Sequence, residues 1–561
     1  MTGIWKEIAM KNQDKLISDI RRSLSDVQND VIDNVIKHRL DRRNLLLHGS
    51  RLGVSLPALT VLSGALGMGA SSSARAAGVA GGTLRIAITT PPGEIDPVTY
   101  DSNAQLMIAM QSGEYLCALD SDYVLRPVLA TSWSSNQDGT IWTFKLRSGV
   151  KFNNGEPMNA DAVVASVNRL ADPKNGSNAL SVFRGLLSPG SAVKVDDLTV
   201  AFHLDKPYGN FPYAVSSDNY NLIILPASYK GGFQNSFVGT GPFKIEKYIP
   251  KVGCSFVRND DYWGQKALLD RVEFSFYNDI QSQVLALQGG QVDMLAEMSV
   301  IAGRAVMSNP NFKVVSCRSN FTAQMHMRCD SGPFHDKRIR QALALTLNRP
   351  EIVKGLFEGY AVIGNDSPFA PVFPSTNLNV PQRAQDIAKA RALLTQAGVG
   401  SGFSVTLTTE QYLEIPDYAV LVKSFAEQAG ININLNVETQ NAYYGKAVFG
   451  QSDWLDSPLG ITDYGPRGVP NVVLRAALTS NGAWNAAHFK NATYDKLVNQ
   501  YDMALDLGSQ RQASGAIETL LLDETPLIIS YFYKSLYPMT KNVSGLPACT
   551  ERLYLANVSV A

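Results

Sequence analysis

Between Trp142 and Leu146 the chain alternates strictly, with Trp142, Phe144 and Leu146 apolar and Thr143 and Lys145 polar. A period of two predicts a strand buried on one face. Asn154-Gly155 follows, a pair suited to a tight turn because glycine meets no Cβ penalty at positive φ. From Asn159 the period changes. Ala160, Val163, Val164 and Val167 fall at i, i+3, i+4 and i+7, so a helix capped by the Asn159 side chain is predicted. The same switching recurs from Gly82 onward. Strands are predicted over 84–88, 244–256, 272–276, 403–408 and 431–437, and a strand–turn–strand over 191–204 around Asp196-Asp197. Helices are predicted over 280–287, 336–347, 385–396 and 418–428, with Gly398 and Gly430 placed to end the last two. Strands and helices in this order imply an α/β fold.

Length adds a constraint. A chain of 561 residues exceeds what one hydrophobic core supports, so at least two domains are expected. Apolar residues make up 45% of the chain and the formal charge is zero, with 50 Lys/Arg and 50 Asp/Glu. That balance is uneven: residues 1–76 hold 11 basic and 7 acidic side chains, leaving 39 and 43 for the rest. A mildly acidic body without basic clusters argues against nucleic acid as a partner.

The beginning of the chain has its own logic. Arg42-Arg43-Asn44-Leu45-Leu46 leads into an apolar stretch, 52–68, diluted by Gly53, Gly64 and Gly67. Ala74-Arg75-Ala76 then offers the small residues a signal peptidase reads. Together they predict an export signal over 1–76, with the twin-arginine route favoured and a periplasmic destination. No cysteine follows the cleavage site directly, so no lipid anchor is expected. The five cysteines are Cys117, Cys254, Cys317, Cys329 and Cys549, an odd number without a C-x-x-C pair. Cys317 and Cys329 are the first pair to test for a disulfide.

Three patterns carry candidate chemistry. Ser191-Ala192-Val193-Lys194, Ser217-Asp218-Asn219 and Gly239-Thr240-Gly241 resemble the spacing of a serine acyl-transferase. However, Ser191 enters a strand-like alternation instead of opening a helix, and the third motif lacks its lysine. Gln324-Met325-His326-Met327 joins imidazole to thioethers and could face a metal or a metal chelate. The competing reading is a strand, with Met325 and Met327 on its core side. Finally, Trp454, Tyr464 and Trp484 stand in a polar, Gly- and Pro-rich region in which Asp463 and Arg467 flank Tyr464. Aromatic walls with a few polar anchors suit an organic ligand, although aromatics of a folded surface loop would look the same.

Several longer motifs then occur in order: DGTIWTFKLRSGVKFNNGEPMNADAVV (138–164), VGTGPFKIEKY (238–248), NDDYWGQKALLDRVEF (259–274), ALQGGQVDM (286–294) and GPFHDKRIRQAL (332–343). AQDIAKARALLTQAG (384–398) and DETPLII (523–529) follow. In these the chain resembles the extracytoplasmic solute-binding proteins of family 5, which deliver dipeptides, oligopeptides and related solutes to ATP-driven (ABC) importers. The resemblance implies a two-lobed, periplasmic-binding-protein-like fold of type II. Lobe I would be 81–110, 236–320 and 525–561, with an extra domain at 111–235, and lobe II would be 321–524. It also implies a ligand held between the lobes, with Asp463 on its amino group and Trp454, Tyr464 and Trp484 as walls. Arg467 would face an anionic group and Tyr115 would reach in from the other side. The partner would be a membrane permease, the protein a monomer without catalytic residues, cofactor or resident metal. A metal-chelate carrier using His326 or His488 is the alternative within the fold, and a serine hydrolase at Ser191 lies outside it. Ala162, Arg328 and the Pro466-Arg467 pair depart from the family pattern. The latter two argue against ordinary dipeptide specificity.

Overall fold

The computed structural model describes residues 80–547 and 552–561; the expected export signal and Cys549 lie outside the described residues. Three sheets organise the rest. The largest has the strand order Phe312–Arg318, Tyr531–Thr540, Met294–Leu295, Thr83–Thr89, Arg271–Tyr277, Gly253–Arg258, Phe243–Ile249, and Ala361–Ile363 pairs with Tyr531–Thr540 off this path. At its centre Thr83–Thr89 runs parallel to Arg271–Tyr277, with Ile86 opposite Phe274. A second sheet orders Ile431–Glu438, Phe403–Glu410, Leu459–Tyr464, Thr322–Met327 and Leu527–Ile528. The third is antiparallel: Ala130–Ser135, Ile141–Leu146, Thr199–His203, Ala192–Asp196.

The corner at 141–171 follows its sequence. Ile141–Leu146 buries Trp142, Phe144 and Leu146, and Gly155 takes the positive φ. Asn159 Oδ1 accepts the N–H of Ala162 at 3.1 Å, starting the helix Ala160–Ala171. The corner is fastened to a distant segment. Asn153 N–H donates to Gly239 O at 2.8 Å and its side-chain amide donates to Phe237 O at 3.0 Å. The G-T-G stretch is therefore structural: a Cβ at Gly239 would overlap the Ser112 carbonyl.

Direct passages between the two larger sheets occur at 319–321 and 529–530. They run side by side: Tyr533 N–H donates to Phe321 O at 2.8 Å, Thr322 Oγ1 donates to Tyr531 O at 2.7 Å, and the Phe321 and Tyr533 rings stack at 4.4 Å. Two sheets joined at such short crossings can flex about them while each keeps its own core.

The second sheet is covered on both faces. Ala323, Met325 and Met327 pack into one cluster with Leu459, Ile461 and Ile528. On its other side Tyr443, Trp454, Tyr464, Leu527 and Tyr501 form another. This corrects the picture of a one-sided strand at 322–327, whose six residues are all buried. Cys317 and Cys329 are not joined. Cys317 packs in the core of the first sheet, while Cys329 lies against the cluster beyond the second. No helix among the described residues is long and apolar enough to cross a membrane.

Candidate functional site

A cavity of about 540 Å³ opens where the two larger sheets meet. One wall comes from the first sheet and its helices, with Thr89, Met107 and Glu297. The crossings supply Phe321 and Tyr533, and the second sheet supplies Glu414, Asp463 and Arg467. Asp463 is the penultimate residue of Leu459–Tyr464. Strand parity sends its side chain to one face and that of Tyr464 to the other.

Behind Asp463 lies a second acid, Glu410, at the end of Phe403–Glu410 and fully buried. The Tyr444 hydroxyl stands 2.8 Å from Asp463 Oδ1, 2.9 Å from Glu410 Oε1 and 2.9 Å from Thr462 Oγ1. A phenol has one proton and can donate to one carboxylate only. Asp463 N–H and the Gln440 amide also donate to Glu410, at 3.2 and 2.7 Å. Two carboxylates this close cannot both ionise cheaply. Burial, then the charge of Glu410, pushes the Asp463 carboxyl up to about 7, with the Tyr444 hydrogen bond opposing. Such a pair holds either a shared proton or a cation.

The other charges of the cavity are spread. Arg467, Lys534 and Arg552 line it together with Asp101 and Glu297. The Arg552 guanidinium donates to Ser217 O at 2.6 Å. Asp218 accepts the N–H of Gly468, and burial raises its carboxyl, with the charge of Arg467 opposing. Ser217-Asp218-Asn219 thus joins the 209–221 segment to the 467–471 loop, and Asn210 donates to Asn471 Oδ1 at 3.0 Å nearby. These contacts close the two halves upon each other away from the crossings.

Of the residues singled out in the sequence, Asp463 and Arg467 line the cavity. Trp454 and Tyr464 are core residues, and half-buried Trp484 packs against the same cluster. The aromatic pattern that suggested ligand walls serves the packing beneath the strand. Tyr115 stands one layer behind the wall, its hydroxyl donating at 3.0 Å to the carbonyl of Tyr220, which does line the cavity. Arg328 bonds Asp330 and the carbonyl of Asp456 and lies outside the cavity lining.

His326 is sealed in the second sheet, Nε2 3.3 Å from Ser457 O, and burial holds its imidazole down at about 4. Gly460 is required beside it, since a Cβ there would overlap the ring. His488 bridges Asp330 and Leu455 O at 3.0 and 3.1 Å. Neither histidine lines the cavity, and no cluster of three metal-ligating side chains occurs among the described residues. Ser191 precedes a strand, its Oγ accepts the N–H of Ser188 at 2.9 Å, and Lys194 pairs with Asp161 and Asp197. No acyl-transfer geometry exists there.

Sequence reasoning missed Glu410, Glu414, Tyr533 and Arg552. It also missed Glu114, the neighbour of Tyr115. Glu114 accepts hydrogen bonds from Thr240 Oγ1 at 2.8 Å, Tyr262 OH at 2.6 Å and Trp263 Nε1 at 2.8 Å, and burial pushes its carboxyl up to about 7. The G-T-G and D-Y-W motifs meet on that one acid. Their shared polar donors were the available clue.

Comparison with known proteins fits this geometry. The family model "Bacterial extracellular solute-binding proteins, family 5 Middle" matches residues 124–471. The glutathione-binding protein GsiB of Escherichia coli is 26% identical over 486 residues, covering 80% of this chain and 89% of its own. Among solved structures, the periplasmic binding protein DppA of Helicobacter pylori in complex with peptide STSA has a TM-score of 0.68 at 22% identity, covering 86% of this chain and 98% of its own. NikA of Brucella suis in complex with Fe(III)-EDTA has a TM-score of 0.74 at 21% identity, covering 86% and 100%. A two-lobed α/β fold with an interlobe cavity and a match over most of its length make the chain a member of the bacterial extracellular solute-binding proteins, family 5.

Proposed function

We propose that the protein is the binding component of an ABC importer, and that it captures a short peptide or a comparable amine-bearing solute between its lobes. The observation that carries this reading is Asp463: a carboxylate facing the cavity, backed by a second acid, with one phenolic proton between them. An ammonium group entering there takes the place of the proton on the Asp463 carboxyl and gains charge-assisted hydrogen bonds while shedding water. Arg467 stands four residues along the same loop, where it can meet a carboxylate or carbonyl of the same ligand. A volume of about 540 Å³ lies within the usual range for small-ligand sites. The names of GsiB and the DppA complex, which bind glutathione and a peptide, support the ligand class.

The two crossings and the Asp218–Gly468 and Asn210–Asn471 contacts support closure around the ligand, with the closed shape read by a permease. Division into lobe I, extra domain and lobe II at the limits expected from the sequence belongs to the same reading. One refinement is that 527–528 stays with the second sheet. Export by the twin-arginine route is read from Arg42-Arg43 ahead of the diluted apolar stretch 52–68 and Ala74-Arg75-Ala76. Replacing both by lysine should abolish export of a reporter fused to residues 1–76.

The test is calorimetric titration with short peptides and their N-acetylated twins. Free peptides should bind, and acetylation should weaken them at least tenfold, about 1.4 kcal/mol. Equal affinity for both twins would remove Asp463 from its role.

A further inference from the structure

The cavity wall carries a further acid, Glu414, one of whose carboxylate oxygens has no partner. Glu414 occupies the N-cap position of the helix Ile415–Glu427, yet its side chain makes no capping hydrogen bond. The residue is 2% exposed, lines the cavity, and its Oε2 has no hydrogen-bond partner. Buried acceptors in this condition are uncommon and costly. Tyr533, 8% exposed, lines the same region with a hydroxyl that also lacks a partner. Tyr533 also lies within the electrostatic reach of both Glu414 and Asp463.

We propose that Glu414 and Tyr533 form a second cation subsite, so that the preferred ligand is a short peptide whose side chain carries an ammonium or guanidinium group. The proposal rests on the reading of Asp463 as the anchor for the ligand's α-ammonium. A second positive group would supply the missing hydrogen bonds to Glu414 Oε2 and accept no proton in return. The Tyr533 hydroxyl then donates to a neighbouring ligand carbonyl or to Glu414 itself. A neutral side chain of equal length would fill the space but leave the buried oxygen unpaired, the arrangement that discriminates most strongly between otherwise similar ligands. Burial raises the Glu414 carboxyl to about 6, with its own backbone N–H and that of Ile301 opposing. It is therefore largely ionised at neutral pH and ready for a cation.

The experiment compares lysyl-alanine with norleucyl-alanine, which differ only by the terminal ammonium, in titrations at pH 7.5. The wild-type protein should bind lysyl-alanine at least tenfold more tightly. Glu414→Gln should erase that preference, and Tyr533→Phe should reduce it severalfold. Asp463→Asn should weaken both peptides to the same degree. Equal binding of the two peptides by wild type, or a preference that survives Glu414→Gln, overturns the subsite and leaves the anchor intact. Binding of neither peptide overturns the peptide reading and the subsite with it.

Discussion

The proton carried by the Asp463 carboxyl makes binding depend on pH in a calculable way. The Asp463 carboxyl is held at about 7 by burial and by the charge of Glu410, and a peptide α-ammonium ionises at about 7.8. Productive binding needs the carboxylate charged and the amine protonated. The product of those two fractions peaks near pH ~7.5, falls about sixfold by pH ~6 and about fiftyfold by pH ~5. Each binding event should also release protons, about 0.9 per ligand at pH ~6. Calorimetry in buffers of different ionisation enthalpy measures both quantities together. Asp463→Asn should remove the acid limb and the proton release, leaving only the fall above pH ~8 from the amine. Glu414 ionises at about 6, so ligands without a second cation should be used and the comparison read between pH ~6 and ~8. A wild-type affinity that is flat across that window, with no proton released, would refute the proton-release argument.

Three further outcomes follow from the packing. Glu114→Ala should leave the Thr240, Tyr262 and Trp263 donors without an acceptor and cost roughly 3 kcal/mol or more in urea unfolding, with no change in the ligand's pH profile. Gly460→Ala should destabilise by about 1–3 kcal/mol through overlap with His326, and a double-mutant cycle with His326→Ala should recover part of that loss. Glu518 is buried and its carboxyl is pushed up to about 8. Its folded value lies above the unfolded one, so the neutral form favours the fold and stability should decline as pH rises from ~4.5 through ~8. Glu518→Gln should flatten that slope in melts between pH ~5 and ~9, and an unchanged slope would contradict the assignment.

Much of the fold was readable because local rules agree with each other. The corner at 141–171 carries a two-residue period, a turn glycine and a capping asparagine, and all three act where the sequence puts them. Two-sided burial at 322–327 was harder. Gln324 and His326 look polar, and only contact with a second core from distant segments hides them. Parity could have sorted the site: Asp463 and Tyr464 are adjacent in a strand and cannot both face one ligand. An aromatic side chain does not reveal whether it lines a pocket or fills a core, and here Trp454 and Tyr464 fill the core. Glu410, Glu414, Tyr533 and Arg552 come from three separated stretches of chain. No local period or spacing marks them, because their meaning arises only when distant segments of the chain are brought together.

The most direct examination of the central claim is a crystal structure of the protein with a bound peptide. The account requires electron density in the interlobe cavity, with the peptide's amino nitrogen about 3 Å from Asp463 Oδ1 or Oδ2. A peptide bound elsewhere, or one whose amino group faces solvent while Asp463 keeps only Tyr444, would contradict it.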